Sequence, residues 1–242
     1  MIDLIRGDCL QVMDTMIAMG IKVDAIITDP PYGTTACKWD NIIPFDAMWE
    51  RLNKLIKPNG AIVLFGSEPF SSALRMSNIK NYKYDWVWEK NQAKGHLNAL
   101  KQPMRAHELI HVFYSAQPTY NPQKTLGHER KVSSAHHKRN SIKTEVYGEH
   151  GLSDYDSTER FPRSVIKFAS DTQKSAVHPT QKPVALMVYL IKTYTNEGEI
   201  VLDFTMGSGS TGVGCVESDR GFIGIESDES HFNIARERIL CN

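Results

Sequence analysis

Residues 23–28 read Val-Asp-Ala-Ile-Ile-Thr, a short apolar run closed by Pro30-Pro31, and a run of that length bounded by turn residues predicts a buried strand. From Asp46 to Ile56 the apolar positions are Met48, Trp49, Leu52, Leu55 and Ile56, one face of a helix that Pro58-Asn59-Gly60 would stop. Ala61–Phe65 predicts a second strand and Phe70–Met76 a second helix. The aromatic and β-branched stretches Tyr84–Trp88 and Leu109–Tyr114 predict two more strands. From Ser115 to about Arg163 the periodicity dissolves into Pro, Asn, Ser, Gly, His and Lys. It then returns as helix Val184–Tyr194, strand Ile200–Phe204, a helix from about Ser210, strand Gly221–Ile225 and helix His231–Leu240. Alternation of strand and helix predicts an α/β protein with a mostly parallel sheet, interrupted by an irregular insertion.

Composition adds little until charge is divided along the chain. The 242 residues are 41% hydrophobic, and 28 Lys plus Arg balance 28 Asp plus Glu, so the net charge is zero. Between Lys90 and Glu145, however, ten Lys or Arg face three Glu and no Asp, and six of the nine histidines lie there. That +7 segment is offset by −7 in the flanks, and a basic stretch of this kind suits phosphate contacts as well as a solvated surface insertion. The longest apolar run, about Val184 to Ile191, is too short to cross a bilayer, and Asp3, Arg6 and Asp8 exclude a signal-peptide core at the amino terminus. Cys9, Cys37, Cys215 and Cys241 are scattered, which predicts reduced thiols in a cytoplasmic protein and no zinc cluster.

Two motifs compete for attention. Gly207-Ser208-Gly209-Ser210-Thr211-Gly212 follows a predicted strand and precedes a helix, and Glu226 ends the next strand, where an acid grips a ribose. This context predicts a nucleoside cofactor. Asp203 ends the preceding strand, either facing a ligand with an ammonium or sulfonium charge or capping the loop. His107-Glu108-Leu109-Ile110-His111 matches the zinc-protease pattern, but Val112-Phe113-Tyr114 favour a strand there, on which the two histidines would lie roughly 13 Å apart. No metal site is expected.

Asp29-Pro30-Pro31-Tyr32 sits directly at the end of the predicted strand 23–28. Given average residue usage, an Asp/Asn/Ser-Pro-Pro-aromatic pattern arises by chance in on the order of one such chain in a hundred. It resembles the catalytic motif of S-adenosylmethionine-dependent amino-methyltransferases, which modify the exocyclic amino group of adenine or cytosine. That group is a weak nucleophile because its lone pair is delocalised into the ring. Two acceptors aimed at its hydrogens, the Asp29 carboxylate and the Pro30 carbonyl, would help it to attack, with Pro30 and Pro31 stiffening the loop. Tyr32 would stack on a base turned out of the helix. Asp203–Thr211 resembles the family's cofactor loop, in which Asp203, Gly207, Ser208, Gly209 and Thr211 are matched, and Glu226 matches the acid on the ribose hydroxyls. The usual Asp-Pro-Phe is Asp203-Phe204-Thr205 here, so Phe204 would replace the aromatic contact from a shifted position. His178-Pro179-Thr180-Gln181-Lys182-Pro183 resembles the segment whose lysine, Lys182, helps seat the methionine moiety, and Gly7-Asp8-Cys9 resembles the turn whose acid, Asp8, approaches the adenine ring.

The order of these motifs is similar to the permuted β class of DNA amino-methyltransferases. The resemblance implies a Rossmann-like fold, a seven-stranded, mostly parallel sheet with one antiparallel strand and helices on both faces. Residues 1–115 and 176–242 would form the catalytic and cofactor domain, and 116–175 a target-recognition insertion. It also implies methyl transfer from S-adenosylmethionine, yielding S-adenosylhomocysteine, to the adenine amino group of double-stranded DNA, since Asp rather than Ser opens the motif. Lys101, Arg105, Arg130, Lys131, Lys138 and Arg139 are the candidate DNA contacts. A homodimer and a companion restriction endonuclease stay open as partners. The rival readings are a cytosine amino-methyltransferase, an RNA or protein-amide methyltransferase, and a nicotinamide oxidoreductase, which leaves the Asp29–Tyr32 motif unexplained. Gly33–Trp39 reads equally as a lid over the base pocket or as a structural loop.

Overall fold

The structure is a computed structural model that describes residues 1–35, 40–134, 154–170 and 181–241, with two short strands at 143–144 and 148–149. Contacts divide it into two units, Met1–Asn121 with Ser164–Asn242, and Pro122–Arg163.

The larger unit holds an eight-stranded sheet. Its strands in chain order are β1 (Ile2–Arg6), β2 (Val23–Thr28), β3 (Ile56–Gly66), β4 (Tyr82–Lys94), β5 (Arg105–Phe113), β10 (Val165–Phe168), β11 (Ile200–Asp203) and β12 (Gly221–Glu226). Across the sheet they run β1-β12-β11-β2-β3-β5-β4-β10. Only β5 is antiparallel to its neighbours. The expected seven-stranded arrangement with one reversed strand is thus present, extended by an eighth edge strand. That edge strand, β10, falls within the stretch 116–175 assigned to the insertion; its four residues pair in parallel with Val87–Lys90 of β4.

Strict alternation along β3 explains the two-faced core. Ala61, Val63 and Phe65 pack on one face against α4 (Val184–Tyr194), α5 (Ser210–Val216) and α6 (Glu229–Leu240). Ile62 and Leu64 pack on the other against α1 (Cys9–Ala18), α2 (Phe45–Leu55) and α3 (Phe70–Ser77). Helix α2 buries Met48, Trp49, Leu52 and Leu55, the stripe legible in the sequence. Two elements absent from the sequence reading, β1 and α1, precede β2; α1 is capped by Asp8, whose carboxylate accepts the Gln11 N–H at 3.1 Å.

Sheet order positions the site. From β2 the chain moves through α2 to β3 on one side, whereas β11 and β12 lie on the other, so the crevice at the carboxyl ends of β2 and β11 is a topological switch point. Because β5 runs backwards, its beginning lies at the edge where the parallel strands end.

In the smaller unit β6 (Lys131–Ser133) pairs antiparallel with β9 (Tyr155–Ser157), and β7 (Lys143–Thr144) with β8 (Gly148–Glu149). The Arg160 guanidinium ties this unit together by donating to the carbonyls of Glu129, Ser157 and Glu159. Among the described residues no helix is long and apolar enough to cross a membrane.

Candidate active site

At the carboxyl edge of the sheet lies a cavity of about 970 Å³. The sequence-predicted catalytic residues Asp29, Pro30, Pro31 and Tyr32 line it, together with Asp8, Lys182, Asp203, Phe204, Gly207, Ser208, Thr211 and Glu226 of the predicted cofactor set. Gly209 stands just behind the lining, at the amino end of α5. Its φ of +80° and the Ala235 Cβ, 3.0 Å from where its own Cβ would be, make glycine the residue that fits. At Gly212 the reason is packing alone, since an added Cβ would lie 2.4 Å from Ile239 and 2.7 Å from Phe222.

Asp203 lines the cavity and is itself held from several sides. Its carboxylate accepts from the Thr28 hydroxyl, from the Thr211 hydroxyl at 2.6 Å and from the Thr205 N–H at 3.2 Å. Burial raises its pKa to about 6, against the lowering effect of those donors. The Thr205 hydroxyl also donates to the Asp29 carbonyl at 3.2 Å, which ties the cofactor loop to the catalytic turn. Phe204 is buried in the core while still bordering the cavity. Glu226 accepts the Gly207 N–H at 3.0 Å on one oxygen and the Asp228 N–H at 2.8 Å on the other, so it is held by backbone with lone pairs to spare.

The catalytic turn is built around charges that alternate. Tyr32 donates its hydroxyl to one oxygen of Asp29, and the Lys182 ammonium donates to the other. Lys182 also lies 3.4 Å from Glu108, whose second oxygen takes the ammonium of Lys90. The sequence Lys90–Glu108–Lys182–Asp29 therefore reads plus, minus, plus, minus across β4, β5, residue 182 and the turn after β2. Burial works against ionising Asp29 and, with the nearby Glu108 charge, leaves its pKa raised despite Lys182. Burial opposes the Glu108 charge too, but Lys182 and Lys90 outweigh it and lower its pKa. Burial also disfavours the Lys182 ammonium, yet the two carboxylates more than compensate and raise its pKa. The Tyr32 phenol is pushed well up by burial and by the Asp29 charge, so it acts as a neutral donor. Its ring stacks on Phe70 with centroids 5.0 Å apart.

Two residues here escaped the sequence reading. Glu108 stood inside the dismissed zinc pattern, which is indeed on a strand: His111 is fully buried, bonded to Asp85 at 2.6 Å and Ser71 at 2.9 Å. No group of three His, Cys, Asp or Glu among the described residues could hold a metal. Asp40 is the second. It accepts the backbone N–H groups of Tyr32, Gly33, Thr34 and Thr35 at 2.7–2.9 Å. Burial opposes its charge, but the Thr35 hydroxyl and these backbone donors prevail and lower its pKa. A carboxylate facing converging N–H groups has no signature in sequence, because the loop conformation creates the nest. The first residues of the stretch weighed as lid or loop are thus fixed by Asp40, while 36–39 lie outside the described residues.

The candidate DNA contacts are dispersed. Arg105 lines the cavity, with its guanidinium 3.1 Å from the Ser67 hydroxyl, and Lys101 is exposed between β4 and β5. In the smaller unit Lys131 is exposed, whereas Arg130 is committed to a two-pronged pair with Asp156 at 2.6 and 2.7 Å. Lys138 and Arg139 lie outside the described residues.

The donor set fits S-adenosylmethionine. Its volume is at the upper end for a small-molecule site, leaving space for a base beside a nucleoside cofactor. Asp8 and Glu226 stand together where β1 and β12 end, the Gly7 N–H donating to the Glu226 carbonyl at 3.0 Å, and such a pair of acids suits a nucleoside; the buried Ser210 hydroxyl in the lining has no hydrogen-bond partner among the described residues. Comparison with known proteins agrees. The chain is 27% identical over 231 residues to the type II methyltransferase M.HpaI of Haemophilus parainfluenzae, covering 90% of this chain and 68% of that protein. It is 27% identical over 252 residues to the DNA adenine methyltransferase YhdJ of Escherichia coli strain K12, covering 98% and 82%. Among solved structures, M1.HpyAVI in complex with S-adenosylmethionine superposes with a TM-score of 0.69 at 29% identity over 99% of both chains. The cytosine-N4-specific PvuII methyltransferase shares the fold, with a TM-score of 0.66 at 14% identity over 98% of this chain and 86% of that one. The DNA methylase family of N6 and N4 methyltransferases matches residues 23–237, nearly the whole span from β2 to α6, and the chain belongs to that family.

Proposed function

We propose that this protein transfers a methyl group from S-adenosylmethionine to the N6 amino group of an adenine turned out of duplex DNA. The observation that carries this reading is a single cavity in which Asp29-Pro30-Pro31-Tyr32, the loop after β11 and Glu226 all meet. Bound S-adenosylmethionine would supply an electrophilic methyl carbon on a sulfonium; the N–C bond would form as the S–C bond breaks to a neutral thioether, and the methylated nitrogen would lose one proton through the Asp29 carboxylate to solvent. The protein's part is orientation. Asp29 and the Pro30 carbonyl accept the amino hydrogens, so the nitrogen lone pair turns toward the methyl carbon, and burial that raises the Asp29 pKa makes its carboxylate the stronger acceptor. Tyr32, backed by Phe70 on one face, offers the other to the base. Glu226 and Asp8 hold the nucleoside of the cofactor, with Gly207, Ser208, Gly209 and Thr211 shaping its loop and Lys182 and Phe204 bordering it.

In this reading the unit Pro122–Arg163 recognises the target sequence, and Lys101, Arg105, Lys131, Lys138 and Arg139 meet phosphate or base edges. Asp at the head of the motif, and the adenine specificity in the name of the YhdJ relative, favour adenine over cytosine. Incubating unmodified duplex DNA with methyl-labelled cofactor and digesting to nucleosides should place the label in N6-methyladenine. Label in N4-methylcytosine would overturn the base assignment, and DNA that stays unlabelled would overturn the reading itself.

A further inference from the structure

Beyond Glu89 and His107 the pairing of β4 and β5 is broken by a register shift, and the two strands run past the regular sheet as a bulged ribbon whose pairing resumes at one pair, Lys94 with Arg105. Both of these residues line the cavity, so the tip between them, residues 95–104, rises from its mouth. Every residue of the tip is exposed. Two of them are leucines, Leu97 at 87% and Leu100 at 103% relative exposure, and Met104 is exposed as well. Single exposed leucines need no explanation. Here two almost fully exposed leucines and a partly exposed methionine share ten residues.

The tip is nonetheless ordered. Gly95 reverses the chain at φ +91°, a turn of 3-10 helix spans His96–Asn98, and successive backbone bonds run Asn98 to Gly95 at 3.0 Å, Ala99 to His96 at 3.1 Å and Lys101 to Asn98 at 2.9 Å. Leu97 lies within the 3-10 turn and Leu100 in the turn that follows, three residues further on, the spacing that brings side chains near one another in a tight turn. Around them the charge has a single sign. Between Lys90, which is paired with Glu108, and His107 the chain has Lys94, Lys101 and Arg105 and no acid. A preformed apolar pair inside a cationic collar, at the mouth of a cavity sized for a base, matches one occupant: a duplex whose phosphates meet the cations while the apolar pair fills the gap left by an extruded base. A two-stranded ribbon is narrow enough for the major groove, and apolar wedges are a means of unstacking a base step.

We propose that the β4–β5 ribbon tip is the duplex-opening element, with Leu97 and Leu100 as the wedge and Lys94, Lys101 and Arg105 as its phosphate clamp. This rests on the methyltransferase reading above and assigns to it the step that delivers the base.

The test separates delivery from chemistry. Once methylated sites have been mapped by sequencing, two oligonucleotide duplexes are made on one site, with the target base paired normally in the first and opposite an abasic position in the second. The variant Leu97→Ala/Leu100→Ala, at almost fully exposed positions, should keep wild-type affinity for S-adenosylmethionine. On the paired duplex its kcat/KM should fall about 10- to 100-fold, because opening a pair costs a few kcal/mol, and on the abasic duplex less than about threefold. With 2-aminopurine at the target, the fluorescence rise on binding should shrink in the same proportion. Equal losses on both duplexes, or none on either, would overturn the proposal. So would a wild-type dimer that sediments as a monomer in the variant, since the tip would then be a subunit interface. Wild-type protein inert on both duplexes would instead refute the methyltransferase reading, a result distinguishable from all of these.

Discussion

Removing Lys182 and removing the Glu108 charge should move the acidic limb of the methylation rate in opposite directions. Asp29 must be ionised to accept the amino hydrogen, so the limb follows its pKa. Lys182 donates to Asp29 and lies 3.4 Å from Glu108. At an effective dielectric of about 20, unit charges at that separation interact by about 5 kcal/mol, and neighbouring charges inside proteins shift pKa values by about 1–3 units. Lys182→Met takes away the cation that opposes burial, so the Asp29 pKa climbs and the limb shifts up by about 1–3 pH units. Activity lost at neutral pH then returns in more alkaline buffer. Glu108→Gln takes away a negative charge that raises the Asp29 pKa, so its limb shifts down by about one unit. Its plateau falls too, because Lys182 is left to pair with Asp29 alone and weakens it as an acceptor. Each variant leaves a charge in this chain uncompensated and should cost about 3 kcal/mol of stability, so circular dichroism at every pH must accompany the kinetics. The assay is single-turnover methylation with both substrates saturating, which isolates the chemical step from any loss of cofactor affinity at Lys182. Limbs that move the same way, or stay in place while only the plateaus drop, would refute electrostatic coupling along Lys90–Glu108–Lys182–Asp29.

Other consequences are simpler to measure. Asp40→Ala strands the four N–H groups that converge on its carboxylate and should cost about 3 kcal/mol, with a lower melting temperature and reduced kcat because Tyr32 loses its anchor; unchanged kcat would show that the nest does not shape the site. Asp203 has a folded-state pKa raised to about 6 against an unfolded value near 3.8, so the native state binds the extra proton and stability falls as pH rises between those values. Asp203→Asn removes that dependence, and its stability relative to wild type should rise by about 2 kcal/mol from pH 4 to pH 7 in urea titrations; a constant difference would refute it. Gly212→Ala should lose about 1–2 kcal/mol through the clash with Ile239 and Phe222, lowering the melting temperature by several degrees despite alanine's better helix propensity. Lys101→Ala should reduce the slope of log affinity for DNA against log salt by about one, and an unaltered slope would remove Lys101 from the interface.

The sequence by itself determined the parts governed by short-range periodicity and local chemistry. The apolar stripe of α2, the alternation of β3 and the helix Val184–Tyr194 were legible because burial on one face imposes a period on neighbouring residues. Asp29–Tyr32 and Gly207–Gly212 were legible because a stiff turn and a close backbone approach each demand particular residues at fixed spacing. Tertiary structure decided what those motifs face. It bonded Asp203, while it lines the cavity, to Thr28, 175 positions away, and paired Arg130, a candidate DNA contact, with Asp156. It made Glu108, which looked like a remnant of a false zinc motif, the bridge between Lys90 and Lys182. The reason is topological: β5 is the one reversed strand, so its first residues arrive where β2 and β11 end, and no pattern along the chain records which strand will run backwards. Periodicity reports the face a residue turns to the core. Only the packed sheet brings together charges that lie 79 and 153 residues apart in sequence.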